Sequence, residues 1–444
     1  MKSTICIPDD TSGTGQWRCL WPINLLWPTL RHDENIAVTK TFPADLNYFA
    51  IQNSVMIQRW TTAQHRTMFD NVVFTAANGG MCNIIYNIDD CMSPDEIPTF
   101  NQAWRHYSKP EIQENIKHIL GRSDFVVVTN STLKQYYIDK YGVDPNNFII
   151  MPNLLPRSWA FGLYNRDFKV SQFAKMQATN KIRIGIISSA SHFNIAGAKH
   201  TKDTKELVMF DNKDKQYKIF TSGKVVTEDN LEEIPDDIDD IVDVIRKTSD
   251  KFEWVSIGES KNEKFKKLVD DKKITVVQQT DILHYMQLVS TLNLAAIVAP
   301  IKDNLFNWCK SDIKYLEAAA VGAVLYTPNC KPYVEHVPLA QRWSSNEDLI
   351  AKLYVLANTK PEDVGDMIQA QYDWLNTPAQ VEDGPSIQNW WLDDNIGIWR
   401  SLFFMPRKGV KIHMSNIVNP PEKSKSTKQQ QSTPATYGKT LQKR

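Results

Sequence analysis

The sequence predicts an α/β protein with two successive parallel sheets, and three observations predict it. Short apolar runs recur at 54–57, 83–88, 125–129 and 148–151, and again at 181–188, 252–257, 274–277, 294–298 and 323–326. Helical stretches separate them, such as 62–70, 111–120 and 133–141. The runs are largely continuous in apolar residues instead of strictly alternating with polar ones, which is the mark of strands covered on both faces by helices.

Length and composition agree with this. A chain of 444 residues exceeds one ordinary core, so two domains and a tail are expected. With 42% hydrophobic and 23% charged residues the composition is globular, and 13 Trp suit sugar or base stacking as well as core packing. Formal net charge is zero, which gives no global attraction to nucleic acid. From Arg407 onward, however, the basic residues face a single acid, Glu422. The six cysteines form no CxxC or metal-finger spacing, and the opening residues lack the apolar core of a signal peptide. No run approaches the ~20 apolar residues a bilayer span needs. A cytoplasmic protein with reduced thiols and no membrane span is the expectation.

Taken in order, a strand at 3–8, the loop 9–16 and a helical stretch from Trp17 open a Rossmann-like half. The loop reads GTG and lacks a full GxGxxG, so Gly13 and Gly15 either approach a phosphate or simply make a turn. Arg18, after this loop, and Arg59, after the strand at 54–58, belong either to a cleft or to the surface. A second half opens with the strand at 181–188, which feeds a small-residue loop ending in His192, a residue with a functional and a purely structural reading. The polar segment 198–236, rich in Lys and Asp, reads as a surface insertion. Helices follow at 346–358, 361–374 and 386–403, the last with Trp390, Trp391 and Trp399. From about Ser415 the chain is Ser, Thr, Lys, Gln and Pro with almost nothing apolar, too little to fold alone. The expected divisions are 1–175, 176–380 with the insertion inside it, a returning helix at 381–405, and a flexible basic tail at 415–444.

The richest stretch chemically is 303–328, DNLFNWCKSDIKYLEAAAVGAVLYTP. Asn307, Lys310, Ser311 and Lys314 gather near the expected amino end of a helix that stops at Gly322, where free N–H groups and the helix dipole favour an anion. Lys310, Lys314 and Glu317 follow at steps of four and three, which places them on one face. Two lysines and a hydroxyl suit a diphosphate, and a carboxylate one turn deeper suits a ribose diol. A solvated Lys/Glu face is the alternative, but Leu316 to Val321 mark a helix packed into a core. Elsewhere, Asp89 and Asp90 end the strand at 83–88, at the edge where α/β sites form. They serve either as a base and acceptor-positioning pair or as a helix cap and ion pair.

The run FNxxKSxxKYxEAAAxGAxLYTP resembles the donor-site signature of GT-B glycosyltransferases, in the branch related to glycosyltransferase family four that is common in phages and bacterial surface-sugar clusters. YNIDDCMSPDEIPTFN at 86–101, SDFVVVTNSTLKQYYIDKYG with IIMPN at 123–153, and IGIISSASHFN at 184–194 are similar to further segments of these enzymes in the same order. The resemblance implies two Rossmann-like domains facing across a cleft, with a last helix crossing back onto the first. It implies that Glu317 holds the nucleotide ribose while Lys310, Ser311, Lys314 and the helix end hold the diphosphate; Asn307 at that helix end and Gly15 in the glycine loop are further donor-binding candidates. It also implies transfer with retention, and no essential metal, because the helix end and basic side chains stabilise the leaving diphosphate. Where the fuller family pattern has a second Glu contacting the sugar, this chain has Cys309, so the sugar is left open.

The expectation is therefore a glycosyltransferase, hexosyl or pentosyl, with a nucleoside diphosphate sugar, a UDP-sugar above all, as co-substrate and no further cofactor. Asp89, Asp90 and His192 are its catalytic candidates. The acceptor is left open: the phage-like pattern makes hydroxymethylated cytosine in double-stranded DNA a serious candidate, with which the basic tail is compatible. A saccharide or cell-surface acceptor is the main alternative, and a non-catalytic nucleic-acid-binding module of the same fold is a third.

Overall fold

A computed structural model of the chain describes residues 2–79 and 82–406. The first half is a six-stranded sheet made of β1 (Lys2–Ile7), β2 (Glu34–Val38), β3 (Ser54–Gln58), β4 (Asn83–Asn87), β5 (Phe125–Val128) and β6 (Phe148–Ile150). Its spatial order is β2-β1-β3-β4-β5-β6 and each pairing is parallel. β3 and β4 are buried at every position, as their unbroken apolar runs require. The edge strand β2, with the mixed sequence ENIAV, has no counterpart in the sequence expectation.

The second half begins at β7 (Ile182–Ile187). The segment expected as a polar surface insertion is a folded sheet of β8 (Lys199–Thr201), β9 (Leu207–Asp211), β10 (Gln216–Ile219), β11 (Val225–Val226) and β12 (Leu231–Glu233), in antiparallel order β11-β10-β9-β8-β12. Val208, Ile219 and Leu231 form its small core. Its Lys- and Asp-rich parts are turns and solvated edges: the Asp211 carboxylate accepts from the backbone of Lys213 in the β9–β10 hairpin. Leu207 and Ile234 also pack on Phe100 of the first half, so the insertion bridges the two halves.

The second parallel sheet resumes with β13 (Phe252–Ile257), β14 (Ile274–Val277), β15 (Ala296–Val298), β16 (Val324–Pro328) and β17 (Arg342–Trp343), in the order β14-β13-β7-β15-β16-β17. Both sheets run parallel, so the carboxyl ends of their strands, where side chains of α/β sites collect, lie along one edge of each.

Two local expectations are corrected. The single helix expected to start near Asn307 and Lys310 and to stop at Gly322 is two: Leu305–Trp308, capped by Asn304 whose Oδ1 accepts from the Asn307 N–H at 2.9 Å, and Ile313–Val321. Lys310 and Ser311 occupy the turn between them. Gly322 does end the second helix, in the left-handed conformation at φ 68°.

The expected helix at 386–403 shrinks to Ile396–Phe403. Upstream, Asn395 takes over the backbone: its side chain accepts from the Gln388 N–H at 2.9 Å and donates to the carbonyls of Asn389 (2.7 Å) and Trp391 (2.8 Å). Such side-chain bonds compete with the helical ladder. Trp390 and Trp391 lie on an extended segment bridged to Leu155, with Leu155 N–H on the Trp390 carbonyl at 3.0 Å. The short last helix crosses onto the first sheet, where the Thr4 hydroxyl donates to the Phe403 carbonyl at 2.5 Å and Arg400 pairs with Glu34. The tail expected at 415–444 lies outside the described residues. Among the described residues no helix is long and apolar enough to cross a membrane.

Candidate functional site

Between the carboxyl edges of the two sheets lies a cleft of about 810 Å³, walled by loops of both halves. Its second-half wall is built on the Ile313–Val321 helix. Glu317 is almost fully buried there. Its Oε2 receives Lys314 Nζ at 2.6 Å and the Tyr285 hydroxyl at 3.0 Å, and Lys314 Nζ also donates to the Tyr285 oxygen at 3.1 Å. The three-residue step between Lys314 and Glu317 makes this contact possible on one helix face. Burial, and then the Glu317 carboxylate, hold the Tyr285 phenol well above its usual range. Tyr285 is fixed from behind by stacking on Trp159, with ring centroids 6.0 Å apart. Nothing in the local sequence signals Tyr285, because its role depends on a helix 32 residues away in the chain.

The turn before that helix reaches across to the first half. Lys310 Nζ lies 3.0 Å from Asp90 Oδ1 and 4.4 Å from the centre of the Phe306 ring. Asn130 Nδ2 donates to the carbonyls of Cys309 and Lys310, both at 3.1 Å, which pins the turn. Ser311 Oγ accepts from Asn153 Nδ2 at 2.8 Å. Asn153 is in turn held by Arg18, whose Nη1 also donates to the Met151 carbonyl at 2.5 Å.

Arg18 is therefore not a cleft residue but the support behind one. It is fully buried, lies 5.3 Å from the Trp399 ring, and is pushed down to about 10 by burial against the opposing pull of Asp89. It stays charged at neutral pH. Arg59 also stands back from the cleft lining: it adopts φ 48° and its Nη2 pairs with Asp10 at 2.6 Å and Asp9 at 3.3 Å. Gly15 is buried and packs against the loop itself. Its N–H donates to Asp10 Oδ1 at 3.1 Å, and a Cβ there would fall 1.9 Å from the Asp10 carbonyl oxygen. The close approach that demands glycine is thus to the protein's own backbone, while Gly13 and Thr14 line the cleft.

Asp89 and Asp90 both line the cleft at the end of β4. Asp89 Oδ1 is buried with no hydrogen-bond partner among the described residues. Burial raises the Asp89 carboxyl above its ordinary value, Arg59 and Arg18 oppose this, and Asp90 adds to it. Such a carboxylate is a better base than a solvated one.

His192 lines the same cleft, and its Nδ1 lies 2.7 Å from Asp237 Oδ2. Burial lowers its pKa, Asp237 opposes that, and Lys310 and Lys314 lower it further. Asn307 is fully buried behind these groups, away from the cleft, where its Nδ2 donates to the Lys302 carbonyl at 3.0 Å. Cys309 is buried too, its thiol against that of Cys91 in the first half. Among the described residues no three His, Cys, Asp or Glu side chains gather in a way that could hold a metal ion.

No family model matches the chain and no curated protein matches it. Solved structures do. The Anabaena protein HepE in complex with UDP is 9% identical and superposes with a TM-score of 0.52, over 90% of this chain and 99% of that one. HepE in complex with UDP-glucose gives 11% identity and a TM-score of 0.51 over the same shares. At such identities the likeness speaks for architecture alone. This chain has the GT-B fold, two Rossmann-like α/β halves facing across a cleft.

Proposed function

We propose that the protein is a glycosyltransferase that moves a sugar from a nucleoside diphosphate sugar, UDP-linked, to a hydroxyl acceptor. The observation that carries this reading is the cluster of Lys310, Ser311, Lys314 and Glu317 on one wall of the cleft. The cocrystallised UDP and UDP-glucose of the HepE structures support a uridine nucleotide as the donor. In this reading the Glu317 carboxylate accepts the ribose hydroxyls, and the Lys310 and Lys314 ammonium groups offset charge growing on the departing diphosphate. That electrostatic contribution is usually the largest in such sites. Lys310 must exchange its Asp90 partner for phosphate. Asp89, raised by burial, takes the proton of the attacking hydroxyl. The resemblance to the family-four branch supports retention, with the acceptor hydroxyl on the same face of the sugar as the departing diphosphate.

The acceptor wall favours a neutral polyhydroxyl acceptor. Asp89 and Asp90 stand in the cleft and Asp9 and Asp10 close beside it, with Arg59 committed to the latter two. Carboxylates in that position repel a phosphate backbone, whereas they accept well from sugar hydroxyls. We therefore place a saccharide ahead of hydroxymethylated DNA.

The test is to incubate the protein with a panel of UDP-sugars and three acceptors: oligosaccharides, hydroxymethylated DNA and unmodified DNA. Mass spectrometry reads the acceptor and NMR the anomeric configuration. A mass gain on an oligosaccharide that is lost in Glu317→Ala is expected. A gain only on hydroxymethylated DNA overturns the acceptor assignment. No UDP binding by calorimetry, with no turnover of any donor, overturns the whole reading.

A further inference from the structure

His192 is held from behind by a chain of buried groups that starts in the donor stretch itself. Asn304 caps the short helix through the Asn307 N–H, and Asn307 Nδ2 bonds the Lys302 carbonyl and lies 3.4 Å from Asp237 Oδ2. Asp237 is 2% exposed at its side chain. Its Oδ2 meets His192 Nδ1 at 2.7 Å, and its backbone N–H donates to the His192 carbonyl at 3.3 Å. Oδ1 of Asp237 is buried with no partner among the described residues. The aspartate closes the insertion, just after β12, so the small antiparallel sheet delivers a carboxylate to the base of the cleft.

We propose that Asp237 is a positioning residue that holds the proton on His192 Nδ1 and so presents Nε2 to the diphosphate of the donor. This rests on the donor reading above. An ionised carboxylate only accepts, so Nδ1 must carry the hydrogen, which leaves Nε2 as the ring atom available to the cleft. The charged groups acting on the ring are Asp237, Lys310 and Lys314. Before the donor binds, burial and the two lysines favour the neutral ring. A diphosphate seated on the lysines reverses their influence, and the ring takes up a proton at Nε2. As the bond from the anomeric carbon to the β-phosphate oxygen breaks, that proton passes from Nε2 to the oxygen. The ring returns to its neutral Nδ1–H form, and the acceptor oxygen, its proton passing to Asp89, completes the new bond to the anomeric carbon. Asp237 keeps its charge throughout and stabilises the imidazolium, as buried carboxylates paired with imidazole do.

The experiment uses the full chain with 15N-labelled histidine, the His192 signals being those lost in His192→Gln. In the wild type at pH 8 the ring is expected as the Nδ1–H tautomer, and adding UDP at pH 7 protonates Nε2. Asp237→Asn can donate to Nδ1, so it is expected to move the proton to Nε2. The same variant should lower kcat about 10²- to 10⁴-fold. The double variant with His192→Gln should be no slower than His192→Gln alone. Asp237→Glu should recover part of the rate.

An unchanged tautomer and protonation midpoint in Asp237→Asn overturns the proposal. So does a double variant whose loss is the product of the two single losses, or a rate loss explained by unfolding in circular dichroism. If the wild type binds no UDP, the donor reading falls, and the tautomer alone then decides the role of Asp237.

Discussion

The two walls of the cleft display different charged groups and are built differently. The first half offers carboxylates, Asp89 and Asp90, at the end of β4, with its guanidinium groups withdrawn: Arg18 into the core and Arg59 onto Asp9 and Asp10. The second half offers cations, Lys310 and Lys314, on a turn and the first turn of a helix, with Glu317 beneath them. The walls meet at one ion pair, Lys310 with Asp90. A cationic wall suits a leaving anion and an anionic wall suits a hydroxyl that must lose a proton. In the proposed reading the two halves divide the work in this way, one withdrawing its cations and the other displaying them.

This contrast can be broken at four points. The largest effect is expected from Lys310→Met with Lys314→Met, which removes two charge-assisted contacts of about 1.5–3 kcal/mol each. UDP affinity measured by calorimetry should fall at least about 100-fold, and binding within about 3-fold of wild type would refute the cationic wall. Next, Trp399→Ala should cost about 3–5 kcal/mol of stability in urea unfolding, because the indole is fully buried under Arg18. A loss under 1 kcal/mol would mean the last helix does not hold the first wall.

Third, Asp89→Asn should lower the rate by about 10²-fold or more if this carboxylate is the base. Its raised pKa sets the sign of the pH dependence. The ionised form is the active one, so wild-type turnover falls as pH drops through a value above the ordinary ~3.9 of aspartate, and the variant loses that limb. Stability runs the other way. The folded state favours the neutral carboxyl, so stability is lost as pH rises from the unfolded value through the raised one, and Asp89→Asn should flatten that slope in urea titrations. The smallest effect is expected from Asp90→Asn. It frees Lys310 from a partly exposed ion pair worth about 0–1 kcal/mol, and UDP should bind up to about 5-fold tighter. Weaker binding would show that Asp90 aids the donor rather than competing with it.

Strands such as β3, β4, β7 and β13 were legible because burial on both faces gives them a high apolar content without a regular polar alternation. β2 was not, since an edge strand of five residues beginning Glu34-Asn35 lacks that signature. Lys314 and Glu317 could be read as neighbours because helical spacing is local. Tyr285 and Asp237 could not, because their contacts with Glu317 and His192 span 32 and 45 residues and are set by packing. Lys310 was placed on the wrong element for a related reason. The Asn304 cap starts a separate helix earlier, and capping by a single side chain is easily outweighed in a reading of periodicity. The helix at 386–403 failed where Asn395 bonds the backbone, a competition that periodicity does not register.

The crossing of Ile396–Phe403 onto the first sheet has a consequence for how the chain is made. Thr4 and Phe403 are hydrogen-bonded partners 399 residues apart, and Trp399 packs in the same core as Cys6, Met56 and Ile85. A ribosome delivers β1 long before this helix. The first sheet therefore waits with an open apolar slot while the second half is translated, although domains made early generally fold early. Its completion waits for a segment 399 residues downstream of Thr4, and a chain broken off before Ile396 lacks that segment.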